Sequence, residues 1–209
     1  MIYNLKTKTK PLVVHCPGWP QPKIWTPLRD TFLKQKSKEY GCPKDLTIIT
    51  WHNGNHRQYL SEGLELFGIP HFVLGKHLVN WMNVFKIPLT LERILNLKTK
   101  YVMGIDCHDA LVLDDPKIIL DIFLNLKCEM LFNKEQAGLN SGAWIGSTKF
   151  VKSFLSQALK LNFSGNPSDQ VLYRSVFEHE KQVLLDHKNQ IFQVLQICNQ
   201  SDFEIIKTL

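Results

Sequence analysis

Residues 101 to 113, YVMGIDCHDALVL, form an apolar run that ends in two aspartates three positions apart, Asp106 and Asp109. Strand residues alternate faces, so acids at i and i+3 converge only if the chain turns straight after the strand. Cys107 and His108 supply that turn. Two carboxylates brought together repel each other. A hard divalent cation such as Mn²⁺ or Mg²⁺ removes that penalty and leaves positions open for phosphate oxygens. The same residue types also serve as helix caps or solvated loop acids, so the pair needs company before it reads as a site.

Three other segments supply that company. GLNSGAWIGS (138 to 147) sets Asn140, Ser141 and Gly142 ahead of a short strand, where a small polar backbone can approach a hydroxylated ligand. NPSDQ (166 to 170) puts Asp169 and Gln170 at a helix start, where the dipole favours an acid. LLDHKNQIFQ (184 to 193) places Asp186 and His187 directly after a buried strand, as a structural or a catalytic pair. Trp51 and Trp144 offer flat apolar faces for a base and a sugar, although a tryptophan is as readily a core residue.

Positioning these groups requires a sheet. Short, nearly continuous apolar runs occur at 11 to 15, 46 to 51, 71 to 75, 101 to 106, 128 to 132, 143 to 147 and 182 to 186. Helical patterns separate them at 28 to 40, 56 to 67, 88 to 97, 116 to 126, 148 to 161 and 168 to 181. That alternation predicts an α/β fold: a mostly parallel central sheet with helices on both faces. The Pro-rich piece 17 to 27 reads as an ordered loop. At 209 residues the chain is expected to be one domain, and ligands of open parallel sheets collect at strand carboxyl ends, where Asp106 lies.

Composition narrows the class. Hydrophobic residues make up 44% and charged residues 21%, as in globular proteins. The formal charge of +6 permits phosphate-bearing ligands, but there is no basic stripe with interleaved aromatics, so nucleic acid is not expected. The basic runs at 6 to 10 and 34 to 38 read as solvated faces. Five scattered cysteines without a CxxC pair suit a reducing compartment. No signal-peptide core or membrane-length apolar run is present, which predicts a cytoplasmic protein and gives the glycosylation patterns at Asn162 and Asn199 no weight.

Taken in order, GIDCHDALVL, LNSGAWIGS, SDQVLY and LLDHKNQIFQVL resemble the glycosyltransferase domain of procollagen lysyl hydroxylases and the related procollagen galactosyltransferases, over roughly residues 46 to 200. The resemblance implies the GT-A fold, with Mn²⁺ (or Mg²⁺) holding the diphosphate of a UDP-sugar. It places Asp106 and Asp109 in the metal-binding acid motif, Asn140, Ser141 and Gly142 near donor and acceptor, and Asp169 and Gln170 in an acidic DDQ element. Ser168 stands where that element has its first acid, while Asp186 and His187 match an LDH element. Thr50, Trp51 and His52 would lie near the nucleobase and ribose.

One departure is informative. The family's further metal-binding histidine follows the IFQ element, on a strand leading into an H-x-x-G loop, and this sequence reaches Leu209 without one. PLVVHCPGW (11 to 19) has that pattern at the opposite end: an apolar strand, His15 and Gly18, followed by Lys23 and Trp25. Glycogenin-like transferases finish with a similar His, Gly, Lys and Trp series, in which His binds metal and Lys binds diphosphate. The expectation is a circularly permuted domain in which residues 1 to 27 are the family's last strand and metal-binding loop. His15 or else His187 would then complete the metal site. Asp169 would orient or deprotonate the hydroxyl acceptor and Gln170 would contact the donor sugar. Two competing readings are a non-catalytic nucleotide- or sugar-binding module of the same fold and a metal-dependent phosphohydrolase.

Overall fold

A computed structural model describes residues 1 to 18, 20 to 35, 39 to 161 and 168 to 206. In chain order the strands and helices are β1 (Ile2–Asn4), β2 (Val13–His15), α1 (Trp25–Leu33), β3 (Leu46–Trp51), α2 (Tyr59–Leu66), β4 (Phe72–Leu74) and α3 (Lys86–Ile94). They continue with β5 (Tyr101–Asp106), β6 (Ala110–Val112), α4 (Pro116–Asn125), β7 (Met130–Glu135), β8 (Gly138–Ser147) and α5 (Thr148–Lys160). The last are α6 (Asp169–Phe177), β9 (Val183–Leu185), β10 (Phe192–Val194) and β11 (Phe203–Ile205).

Six strands form the central sheet in the order β4-β3-β5-β8-β7-β9. Only β8 runs antiparallel to its neighbours; the other pairings are parallel. Both faces are covered, because neighbouring strand residues enter different cores. Ile48, Met103 and Ile145 pack with Phe32 of α1, Leu64 of α2 and Phe123 of α4. Ile49, Val102 and Trp144 pack with Ile87 of α3, Phe154 of α5 and Tyr173 of α6. The expected α/β class, the mostly parallel sheet and the helices on both faces are therefore present. No helix among the described residues is long and apolar enough to cross a membrane.

A smaller sheet of order β10-β2-β6 carries the functional interest. β2 pairs in parallel with β10 (Val13 with Phe192) and antiparallel with β6 (His15 with Ala110). The chain ends meet beside it, where β1 pairs with β11 and Ile2 lies opposite Ile205.

Some boundaries differ from the expectation. α1 starts at Trp25, inside the stretch expected to be a loop, because Pro27 falls in the first turn, where its missing N–H costs nothing. β8 takes in Asn140, Ser141 and Gly142, whose low strand propensity concealed them. The ladder with β7 jumps from Phe132↔Trp144 to Asn133↔Asn140, so Ser141, Gly142 and Ala143 have no partner on that side. Part of the basic run at 34 to 38, Trp19 and the Asn162 pattern lie outside the described residues.

Asp186 is structural. Its carboxylate accepts hydrogen bonds from the backbone amides of Gln190 (3.1 Å), Ile191 (2.8 Å) and Phe192 (2.8 Å), fixing the approach to β10. Asp186→Ala leaves these amides, two of them buried, without their acceptor and is expected to cost about 3 kcal/mol, measured as a lowered urea midpoint. An unchanged midpoint would remove the carboxylate from any role in holding β10.

Candidate metal centre

β5 delivers Asp106 at its carboxyl end, the next residues turn, and Asp109 precedes β6. Because β2 lies antiparallel to β6, His15 falls beside the turn, and the Cys16 amide donates to the Asp109 carbonyl (2.7 Å). His15 Nε2 approaches Asp109 Oδ1 at 3.3 Å and Asp106 Oδ2 at 3.6 Å. One ligand atom from each of the three residues lies within 4.8 Å of the others. The imidazole is 2% exposed, and its Nε2 makes no hydrogen bond. An orphaned buried nitrogen facing two carboxylates is a donor set that fits a divalent cation such as Mn²⁺.

The ring is held in the form that such an ion needs. His15 Nδ1 lies 2.9 Å from Asn140 Oδ1, which also accepts from the Gly142 amide at 3.0 Å. An oxygen at that position makes Nδ1 the protonated nitrogen and leaves the Nε2 lone pair facing the acids. The amide of Asn140 is fixed in turn by Nδ2 donating to Glu135 Oε2 (3.0 Å). Glu135 Oε1 accepts from Gln170 Nε2 (2.9 Å) and Arg174 Nη2 (2.6 Å), and the Ser141 amide donates to Gln170 Oε1 (3.1 Å). A carboxylate, two amides and a guanidinium thus brace one histidine. Gly142 leaves room for the ring, since a Cβ there would run into it. Gly18, with φ +84°, shapes the loop after β2 and lines the same cleft.

Sequence reasoning missed Lys86. This residue opens α3 on the same stripe as Thr90 and Ile94, and the only hint was a lysine on an apolar stripe. It is 4% exposed, with Nζ 2.6 Å from Asp106 Oδ1 and 3.4 Å from Asp169 Oδ2. Asp169 is buried at the start of α6, and Ser168 caps that helix through its hydroxyl. The cleft, about 280 Å³, is lined by His15, Lys86, Asp106, Asp109, Asn140, Ser141, Gly142, Asp169 and Gln170, among others.

Electrostatics follow from this packing. Burial disfavours the charged form of His15, yet Asp109 and then Asp106 hold its pKa above the ordinary 6.5. Burial likewise opposes ionisation of Asp109, but His15 holds it below 3.8. Asp106 is pushed up by burial, against the pull of Lys86 and His15. Burial would lower Lys86, but Asp106 and Asp169 raise it, so it stays charged. Burial and then the neighbouring Asp169 raise Tyr173 well above its usual range.

Other expected residues lie elsewhere. Lys23 is exposed, is not among the residues lining the cleft, and gives its backbone amide to Gln200 Oε1 (2.9 Å). Trp51 and Trp144 are core residues with ring centroids 6.1 Å apart, and Trp51 Nε1 donates to Thr90, so neither indole is a free stacking face. Thr50 is fully buried on β3. His52 follows that strand, accepts from the Gly54 amide at Nδ1 (3.1 Å) and stands 6.3 Å from the His108 ring. His108 itself donates Nδ1–H to the Arg57 carbonyl (3.0 Å). His187 is exposed and outside the group formed by His15 and the two acids.

No protein-family profile matches the chain, and no curated protein matches it. Among solved structures the fold is similar to 4-diphosphocytidyl-2C-methyl-D-erythritol synthase from Anaerococcus prevotii, with TM-score 0.40 and 11% identity over 78% of this chain and 94% of that one. At that distance the likeness says nothing of activity.

Two outcomes follow for the isolated protein. Gly142→Ala displaces the His15 ring and is expected to weaken Mn²⁺ binding by about tenfold or more in calorimetric titration. Protonated His15 competes with the ion, so Mn²⁺ affinity should climb as pH rises through 6.5 and level off above the raised pKa of His15. Without metal the His15 contribution to stability has the opposite slope: it is complete below 6.5 and lost as pH rises through the folded-state pKa. Asp109 contributes above 3.8 and loses its share as pH falls through its lowered value. A Mn²⁺ affinity flat between pH 6 and 8, roughly spanning the ordinary histidine range, would exclude His15 as a ligand.

Proposed function

We propose that the chain is a metal-dependent glycosyltransferase that moves a sugar from a nucleotide-sugar, in the first place a UDP-sugar, to the hydroxyl of a glycan, lipid or protein acceptor. The observation that carries this reading is the meeting of His15 with Asp106 and Asp109 where β2 pairs with β6. β2 lies between β10 and β6, and the chain ends pair through β1 and β11. That supports a GT-A domain spanning 1 to 209 whose closing strand and metal loop, within residues 1 to 27, stand at the front.

A Mn²⁺ (or Mg²⁺) ion held by Asp106, Asp109 and His15 would supply Lewis-acid neutralisation of the departing diphosphate. The protein's own groups do the rest. Lys86 takes the part that the sequence assigned to Lys23, a buried ammonium whose charge sits where the leaving group develops its own. Asp169 lines the cleft, and its Oδ2, 3.4 Å from Lys86 Nζ, makes no hydrogen bond, so the carboxylate could orient the acceptor hydroxyl or take its proton while the lysine holds it. Gln170 holds Ser141 and Glu135 through its amide, positioning β8, and lines the cleft where it could contact the donor sugar. Thr50, Trp51 and His52 would border the nucleoside as strand-end backbone, since all three side chains are buried.

The competing reading, a binding module without turnover, draws on Ser168, whose hydroxyl serves the helix cap at the position where the family carries an acid. UDP titrations with and without Mn²⁺, joined to hydrolysis assays over several UDP-sugars, separate the two. The transferase reading expects metal-dependent UDP binding and donor turnover, with Asp106→Ala and His15→Ala each losing about a hundredfold or more in turnover. Metal-dependent binding with no donor consumed would assign the module. Full activity in His15→Ala, with none in Asp106→Ala, would end the permutation proposal.

A further inference from the structure

A second cavity, about 310 Å³, adjoins the cleft through Glu135. Glu135 lines this cavity, while its two oxygens hold Asn140 and Gln170 of the cleft. The cavity's acids are already spoken for: Arg174 pairs with Glu135 (2.6 Å) and Lys6 with Asp202 (2.8 Å). Lys134 and His187 also line it, and neither has an ion-pair partner among the described residues. Lys134 therefore carries a charge that no acid of the lining offsets. Part of the wall is rigid and polar: Gln193 bridges Asn4 (2.7 Å) and the Val194 carbonyl (2.7 Å), and Asn199 bonds the Gln196 amide (2.8 Å) and the same carbonyl (3.1 Å).

A preformed polar cavity with an unpaired lysine suits a hydroxylated molecule that carries an anionic group. We propose that this cavity is the acceptor subsite and that it selects an anionic, polyhydroxylated acceptor, whose carboxylate or phosphate meets Lys134 and His187. The assignment rests on the transferase reading. In the step it implies, the acceptor hydroxyl oxygen bonds to the anomeric carbon and the carbon–oxygen bond to the diphosphate breaks. That electron pair leaves with UDP, and the hydroxyl proton passes to Asp169 or to water. It also gives His187 a use that the metal centre does not.

The test uses the full chain and three probes: glucose 6-phosphate, glucuronate and neutral glucose, each titrated by calorimetry without donor or metal. Both anions are expected to bind about tenfold or more tightly than glucose, and the stronger of the two names the acidic group. Lys134→Ala should remove that preference, Lys134→Arg should keep it, and UDP–Mn²⁺ affinity should stay within about twofold in both variants. With a UDP-sugar present, the preferred anion should accelerate donor consumption in the wild type and not in Lys134→Ala. Equal binding of all three probes, or an unaffected Lys134→Ala, overturns the subsite while leaving metal-dependent UDP binding intact. Lys134-dependent anion binding without any metal-dependent UDP binding overturns the acceptor role through the failure of the transferase reading itself.

Discussion

The hydrogen bond between His15 Nδ1 and Asn140 Oδ1 is the contact on which the centre depends. A buried imidazole can rotate, change tautomer or protonate, and two of those outcomes would turn a proton toward any arriving cation. Such a bond contributes only about 1 kcal/mol net, yet a buried polar group left unpaired costs more. Evenly matched alternatives become one geometry because Asn140 is itself held by Glu135, and Glu135 by α6. The three-residue bulge in β8 serves the same end, lifting Ser141 and Gly142 off the β7 ladder so that a ring can lie against bare backbone.

Charge balance is the second constraint. Asp106, Asp109 and Asp169 converge in one cleft, and such a triad would be costly alone. Lys86 offsets it by pairing with Asp106 and Asp169. The lysine therefore does in the metal-free protein part of what a divalent ion would do, sharing Asp106 from the opposite side. The acids do not have to be pried apart or neutralised by protons while no ion is present.

How much of this was legible depended on whether the determining contact was local. Continuous apolar runs such as LTIITW and YVMGID identified strands buried on both faces, and Asp115 and Ser168 cap the helices that begin at Pro116 and Asp169. Asp106 and Asp109 were readable because one strand end carries both. His15 was readable only through motif order, since nothing local links it to residue 109. Lys86 was not readable: its role comes from a helix packed across the sheet, and no spacing announces that. Lys23 misled for the converse reason: its residue type suited phosphate, but packing sent it to the surface. Trp51 and Trp144 took core positions, the commoner place for a tryptophan.

The placement of β2 also sets an order of assembly. Its two neighbours, β6 (Ala110–Val112) and β10 (Phe192–Val194), lie far from it in sequence, so the strand carrying His15 joins them only across long loops. Contacts of such long sequence separation form late, after the loop entropy has been spent. Asp106 and Asp109 can sit on a folded central sheet well before the histidine joins them. Completion of the metal centre thus reports that β2 has docked between both of its neighbours, which makes the site a record of its own assembly.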